Sequence, residues 1–219
     1  MIESSFSLLP PHYDAIFRRQ VHALNVSRFG ERLLKKAASA LEEELKCGWI
    51  PISVRPGKRP SRIARKIERI FQRAEESGTT TTFDEALSKV KDLAGGRFLI
   101  PYLGDVRRAH RAFCASIEMN RRVRLDGSAE DYNASPKASG YRGLHQGLLV
   151  KLNRSLWFPF EVQFLTFLQA DWASKEHLVY ENPDKFPESI CQQLKELSDT
   201  LHNASESFDR LRDIISSIE

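Results

Sequence analysis

Apolar residues recur along the chain with periods that fall into a definite order of elements. Over residues 12–47, Ile16, Val21, Leu24, Phe29, Leu33, Leu34, Ala37, Leu41 and Leu45 return at helical steps and predict one long helix, with Glu31 and Lys35 a favourable i,i+4 pair. Gly48, Pro51, Pro56 and Gly57 break it. Ile63, Ile67, Ile70 and Phe71 predict a helix over 60–76, opened by Pro60 and stopped at Ser77-Gly78. Thr82 is a capping signal for a short helix over 83–91. Gly95-Gly96 introduces an apolar strand at 97–101, a helix follows over 104–118, and 121–125 reads as a strand. Residues 126–142, rich in glycine and serine, form a loop of functional length. Strands over 144–152 and 156–165 flank an Asn153-Arg154-Ser155 turn. A helix over 166–180 ends at Asn182-Pro183. Leu194, Leu197, Leu201, Phe208, Leu211 and Ile214 then mark a last amphipathic helix over 187–217, opened by Pro187. Its apolar stripe is expected to pack on the protein's own core, with a homo-oligomer contact as the alternative.

This order predicts an α/β chain, a mixed β-sheet flanked by helices. It divides into a helical N-terminal extension (1–49), an α/β domain (50–182) and a C-terminal amphipathic helix (183–219). With 219 residues, 41% apolar and 28% charged, the chain can bury a sizeable core. No apolar run reaches the roughly 18 residues of a membrane span. The first residues lack a basic region and meet Pro10-Pro11 early, so no signal peptide is expected. Cys47, Cys114 and Cys191 are too scattered for a disulfide framework or a zinc site, which makes a cytoplasmic location the default.

The net charge of +4 is unevenly placed. Arg55, Lys58, Arg59, Arg62, Arg65, Lys66, Arg69 and Arg73 share 19 residues with one acid, Glu68, while the other 200 residues are net −3. Arg62, Lys66, Arg69 and Arg73 follow a 4-3-4 spacing that stacks them on one helix face. So many uncompensated cations repel one another unless anions bind, and phosphates are the natural ligands, whether of a nucleotide or of nucleic acid.

Within 156–165 the side chains alternate. Phe158, Phe160, Val162 and Phe164 point one way; Glu161, Gln163 and Leu165 point the other. A glutamate in so aromatic a strand is a candidate for chemistry, with an exposed edge as the plain alternative. Asp92 precedes Gly95-Gly96, where a carboxylate can project into a cleft or simply serve a turn. Two such acids beside a phosphate site suit Mg²⁺, which takes one or two carboxylates and otherwise substrate phosphates.

Five segments in order carry a family resemblance: Asp92-Leu93-Ala94-Gly95-Gly96-Arg97, Asp131-Tyr132 with Pro136-Lys137, Gly140-Tyr141-Arg142-Gly143-Leu144-His145, Glu161-Val162-Gln163, and Trp172-Ala173-Ser174-Lys175-Glu176-His177. Over about residues 50–180 the chain resembles the nucleotidyltransferase-like synthetase domain of RelA/SpoT proteins, in particular the stand-alone small alarmone synthetases. That resemblance implies an Mg²⁺-dependent transfer of the β,γ-pyrophosphoryl group of ATP to the 3′-hydroxyl of GDP or GTP, making (p)ppGpp. By match to the family, Asp92 and Glu161 are the metal and catalytic carboxylates, and Lys58, Arg59, Arg62 and Lys66 cradle ATP. Tyr141 stacks on the acceptor base, Lys137 and His145 meet its phosphates, and Gln163 partners Glu161. Trp172, Glu176 and His177 are expected to be structural.

Several positions depart from the family pattern. Pro56 stands where an arginine is usual, leaving Arg55 or Arg59 to substitute, and Arg62 replaces a serine. Glu130 occupies a position normally basic, Ser128 stands where an adenine-stacking arginine is expected, and Leu165 replaces the arginine of E-x-Q-x-R-T. These changes touch phosphate and base contacts rather than the carboxylates. The alternatives are therefore a toxic relative that pyrophosphorylates the 3′ end of tRNA, through surfaces such as Lys35-Lys36 and Arg121-Arg122 and with an antitoxin partner, or an inactive nucleotide- or RNA-binding module. No hydrolase activity is expected.

Overall fold

The computed structural model describes residues 10–180 and 186–218. The helix stop expected at Asn182-Pro183 lies outside them. Helix α1 (Pro10–Leu45) ends as Lys46 turns into the left-handed region at φ 53°, and the Cys47 amide reaches back to the Glu42 carbonyl at 3.1 Å. Strand β1 (Ile52–Arg55) follows, within a proline-flanked stretch that the apolar pattern left as a break. Helix α2 (Pro60–Glu76) carries the basic residues, and Ile63 and Ile67 anchor it in the core. Helix α3 (Phe83–Lys89) starts with a reciprocal cap: the Glu85 amide donates to Thr82 Oγ1 at 3.3 Å and the Thr82 amide to Glu85 Oε2 at 2.8 Å.

Strand β2 (Gly95–Ile100) leads through a 3₁₀ turn at Leu103–Asp105 into α4 (Val106–Ile117). Strands β3 (Val123–Leu125), β4 (Glu130–Asp131), β5 (Leu144–Lys151) and β6 (Trp157–Thr166) follow, then α5 (Phe167–Tyr180) and α6 (Glu188–Ser216). The sheet runs β1-β2-β6-β5-β3, with β4 also paired to β5. The β2–β6 pair is parallel and the other pairs are antiparallel, so the mixed sheet expected from the sequence is present.

The two sheet faces differ in kind. Phe98, Phe158, Phe160, Val162 and Phe164 fill one core with α1 and α4, and fully burying side chains of that size is worth roughly 1.5–3 kcal/mol each. Packing is close enough that a Cβ on Gly30 would lie 2.3 Å from the Phe160 ring. The opposite face carries the polar residues of the alternation. A second, smaller cluster of Tyr141, Leu165 and Trp172 closes one end of it beneath α5 and α6.

Helix α6 departs from the expectation for its stripe. Ser198 and Ser205 are its buried residues, whereas Leu197, Phe208, Leu211 and Ile214 are exposed; only Leu194 and Leu201 of the stripe reach the second cluster.

Candidate active site

Strand register builds the site as two rows across the polar face. One row aligns Glu130, His145, Gln163, Arg97 and Ser53; the next aligns Gly147, Glu161, Gly95 and Arg55. Glu161 thus stands between two glycines. A Cβ at Gly95 would lie 2.8 Å from the Glu161 carbonyl and 3.2 Å from the Arg55 guanidinium. At Gly147 the backbone of Asp126 crosses so closely that a Cβ would come within 2.8 Å of its carbonyl oxygen. Bare positions on both sides leave the carboxylate facing an open cleft of about 200 Å³, lined also by Asp92, Lys91, Asp126, Ser128, Glu130 and His145. A larger cavity of about 390 Å³ lies between α1 and β1, but Leu24, Ile52, Val54 and Pro56 line it together with the mutually paired Glu31 and Lys35. The smaller cleft is the one that gathers carboxylates and a histidine.

Asp92 leaves the end of α3 towards the first turn of α2. Its Oδ2 accepts from Lys58 Nζ at 2.6 Å and from Lys66 Nζ at 2.5 Å, while Oδ1 is buried without a hydrogen-bond partner. Burial alone raises the Asp92 carboxyl, but the two lysines outweigh it and hold the pKa well below the usual carboxylate range. The same burial, with Lys66 and Arg55 nearby, lowers Lys58 to about 8 against the pull of Asp92. Arg55 donates from Nη2 to the Asp92 carbonyl at 3.1 Å.

Glu161 is held from both sides. Gln163 Nε2 donates to Oε1 at 2.7 Å, and His145 Nδ1 lies 3.4 Å from Oε2. Burial raises its pKa, and His145, Gln163 and Arg55 more than reverse that, to about 2. The Tyr141 hydroxyl sits 2.6 Å from His145 Nε2, which suits a phenol donating to the ring while Nδ1–H faces Glu161.

The structure brings Asp92, Glu161, Lys58, Lys66, His145 and Gln163 together. Arg59 and Arg62 stand exposed at the start of α2, and Arg62 Nη1 lies 3.4 Å from His177 Nε2 rather than at the carboxylates. Of the two arginines able to substitute for Pro56, Arg55 is the one beside both carboxylate residues, bonded to the Asp92 carbonyl and sharing a small cavity with Glu161. Tyr141 is only 9% exposed, packed with Leu165 and Trp172, and Lys137 Nζ lies 5.0 Å from its ring centre and 4.2 Å from that of Tyr132. Lys137 therefore stands over both tyrosine rings. Leu165 packs closely on Gly143, where a Cβ would lie 2.3 Å from its side chain. Trp172 is buried and donates from Nε1 to the Leu194 carbonyl at 2.7 Å.

Two contributors escaped the sequence reading, and so did the place of a third. Arg97 lies between Ser53 and Gln163 in the polar row, and Tyr132 donates to Glu130 Oε2 at 2.5 Å. Burial and that carboxylate push the Tyr132 hydroxyl up to about 12. Arg55 was named in the basic cluster and as a substitute for Pro56, but not beside Glu161; its place next to Gly95 depends on β1.

A family pattern described as a region found in RelA / SpoT proteins matches residues 57–185, more than half of the chain. The chain belongs to the RelA/SpoT family. The matched segment of this RelA/SpoT chain holds both carboxylates and both lysines, while Arg55 falls just before it. A curated relative, GTP pyrophosphokinase YwaC of Bacillus subtilis (strain 168), is 26% identical over 148 residues, 65% of this chain and 67% of that protein. The fold is that of small alarmone synthetases. The structure of small alarmone synthetase 2 from Bacillus subtilis matches with a TM-score of 0.67 at 22% identity, covering 87% of this chain and 97% of that one. Small alarmone synthetase 1 from Bacillus subtilis, bound to its product pppGpp, matches with a TM-score of 0.63 at 19% identity, covering 94% and 99%.

Proposed function

We propose that this RelA/SpoT protein is an ATP-dependent pyrophosphokinase that transfers the β,γ-pyrophosphoryl group of ATP to the 3′-hydroxyl of GDP or GTP, yielding (p)ppGpp and AMP. The observation that carries the reading is the meeting of two ionised carboxylates, Asp92 and Glu161, in one cleft, with Lys58 and Lys66 bonded to Asp92. The family membership and the named activity of YwaC support it.

The donor set fits Mg²⁺. Asp92 Oδ1 is a buried oxygen with no partner, and hard carboxylate oxygens are what this ion takes, with phosphates and water completing its shell. Asp92 and Glu161 would hold it, where it neutralises triphosphate charge and polarises the transferred group. In the transfer, a bond forms between the acceptor 3′-oxygen and Pβ. The bond from Pβ to the α-phosphate oxygen breaks, and AMP leaves with that electron pair. Lys58 and Lys66 neutralise and place the donor phosphates, with Arg59 and Arg62 at the outer end of the same helix face. Glu161 orients the 3′-hydroxyl and takes its proton. With a pKa near 2 it is a weak base, so positioning is the larger part of its role. Gln163 and His145 fix its orientation. Lys137, His145 and Tyr141 serve the acceptor, with stacking worth roughly 1–3 kcal/mol per base.

One observation favours a second reading. Glu130 places a negative charge in the cleft beside His145, which disfavours free 5′ phosphates on the acceptor. A tRNA 3′ end carries none at its terminal nucleoside, and this would make the protein a toxin with an antitoxin partner. Supplying γ-labelled ATP with GDP, GTP or deacylated tRNA in separate reactions distinguishes the two. Label on GDP or GTP is the expected result; label on tRNA alone overturns the guanine-nucleotide reading.

A further inference from the structure

Gln146 stands on the apolar face of the sheet, not the polar one. Leu144, Leu148 and Val150 share its side of β5 and are buried in the main core, and Gln146 is only 2% exposed among them. A primary amide in such a place costs free energy unless its oxygen and both N–H groups are bonded, a cost an apolar side chain of similar size would not carry. All three are bonded. Nε2 donates to the Gly147 carbonyl at 2.9 Å and to the Gly127 carbonyl at 3.3 Å. Both carbonyls can only accept, so Oε1 is the atom that faces His110 Nε2 on α4, 3.0 Å away, and that ring nitrogen carries its hydrogen. Cys114 Sγ, one turn further along α4, lies 3.3 Å from the same nitrogen as a second, weaker acceptor. The His110 ring packs edge-on against Phe164, 5.5 Å between centres.

The chain that Gln146 holds is a bulge in the wall of the cleft. Leu125 pairs with Leu148 and Glu130 with His145, so the four residues 126–129 lie against only Gln146 and Gly147. The Asp126 amide still reaches the Gly147 carbonyl at 2.9 Å. Gly127 then turns at φ +74° and presents its carbonyl to Gln146, whose side chain stands in for a ladder bond that the bulge breaks. Asp126, Ser128 and Glu130 project from this stretch into the cleft that holds Glu161. A bulge re-aims the side chains that follow it, and the first strand residue after this one is Glu130. We propose that Gln146, oriented by His110, is a positioning residue that fixes the bulge and thereby aims Glu130 at the acceptor. Given transfer to GDP or GTP, as proposed, it sets the preference between them.

Gln146→Met keeps the length of the side chain and removes its hydrogen bonds, and two measurements on the full chain read the result. Amide hydrogen exchange over residues 126–130 should quicken by about tenfold or more. In steady-state kinetics with each nucleotide, kcat/KM for GTP should rise about threefold relative to that for GDP, the direction expected of Glu130→Gln. In a Glu130→Gln background, Gln146→Met should leave that ratio where it was, which a general loosening of the fold would not do. His110→Leu should move exchange and ratio the same way, less far, and add nothing to Gln146→Met. It carries the test should Gln146→Met fail to fold. Unchanged exchange, an unchanged nucleotide ratio, or a shift that persists in the Glu130→Gln background overturns the proposal. A wild type that transfers to neither nucleotide overturns the selectivity claim together with the guanine-nucleotide reading, whereas exchange still decides whether Gln146 holds the bulge.

Discussion

Lys58 and Lys66 share one oxygen of Asp92, and this shapes what each residue contributes. Two cations within 2.6 Å of a single carboxylate oxygen leave a net positive charge around Asp92, which suits the triphosphate donor of the proposed reaction. Removing one lysine leaves the other to neutralise Asp92, with no surplus for the donor. Lys58→Met and Lys66→Met should therefore each raise KM for ATP by about tenfold or more, while KM for the acceptor moves little. Initial rates at varied ATP and varied acceptor separate the two effects, and a rise confined to the acceptor would reverse the donor and acceptor assignments. Arg73, two turns along α2, should matter less. Glu130 makes the opposite electrostatic contribution. Glu130→Gln should improve turnover with GTP more than with GDP, because the extra phosphate gains most from losing a nearby negative charge. Equal change for both nucleotides would place the acceptor phosphates away from Glu130.

At the scale of elements, α6 holds the loop that carries Lys137 and Tyr141. Ser198 bonds the Gly140 carbonyl, and Arg142 Nη2 donates to Asp199 at 2.9 Å. Gly140 has φ +91°, and a Cβ there would lie 3.2 Å from the Lys195 backbone, so the loop and helix touch with no slack. Arg142→Ala should raise KM for the acceptor several-fold without changing KM for ATP, and steady-state kinetics with each substrate varied would reveal this. Much of this level was legible in the residues. The spacing of Ile63, Ile67, Ile70 and Phe71 with Pro60 and Ser77-Gly78 gave α2 with its observed ends, Thr82 gave the cap of α3, and the Phe/Glu/Gln alternation gave both faces of β6. Strand β1 escaped because four residues between prolines carry no measurable period, and its pairing with β2 is a non-local event. With β1 went the placement of Arg55. The direction of α6 escaped for a different reason: a heptad stripe predicts a buried face, but its partner is not written in its period, and Ser198 and Ser205 give no apolar signal for the side that docks.

Across the whole molecule, one packed face supports one reactive face, and the reactive face has a cost visible in acid. Asp92 and Glu161 are ionised at lower pH in the folded chain than the ordinary carboxylate value of 4.5 for Glu161 and 3.8 for Asp92. Their stabilising contribution is therefore complete above about pH 4.5 and is lost as pH falls towards the folded values. Urea midpoints measured from pH 6 to 3 should fall more steeply for wild type than for Glu161→Gln; parallel curves would mean that Glu161 is not held by His145 and Gln163 as described. No described helix is long and apolar enough to cross a membrane. The central claim is that Asp92 and Glu161 together drive pyrophosphoryl transfer. It is tested most directly by AMP release from ATP in the presence of GDP, measured side by side for wild type, Asp92→Asn and Glu161→Gln. The account predicts one AMP per GDP consumed in wild type and less than about a tenth of that turnover in either variant, with unchanged melting temperatures. A folded variant that keeps more than about a tenth of the wild-type rate would contradict it and move the reaction out of this cleft.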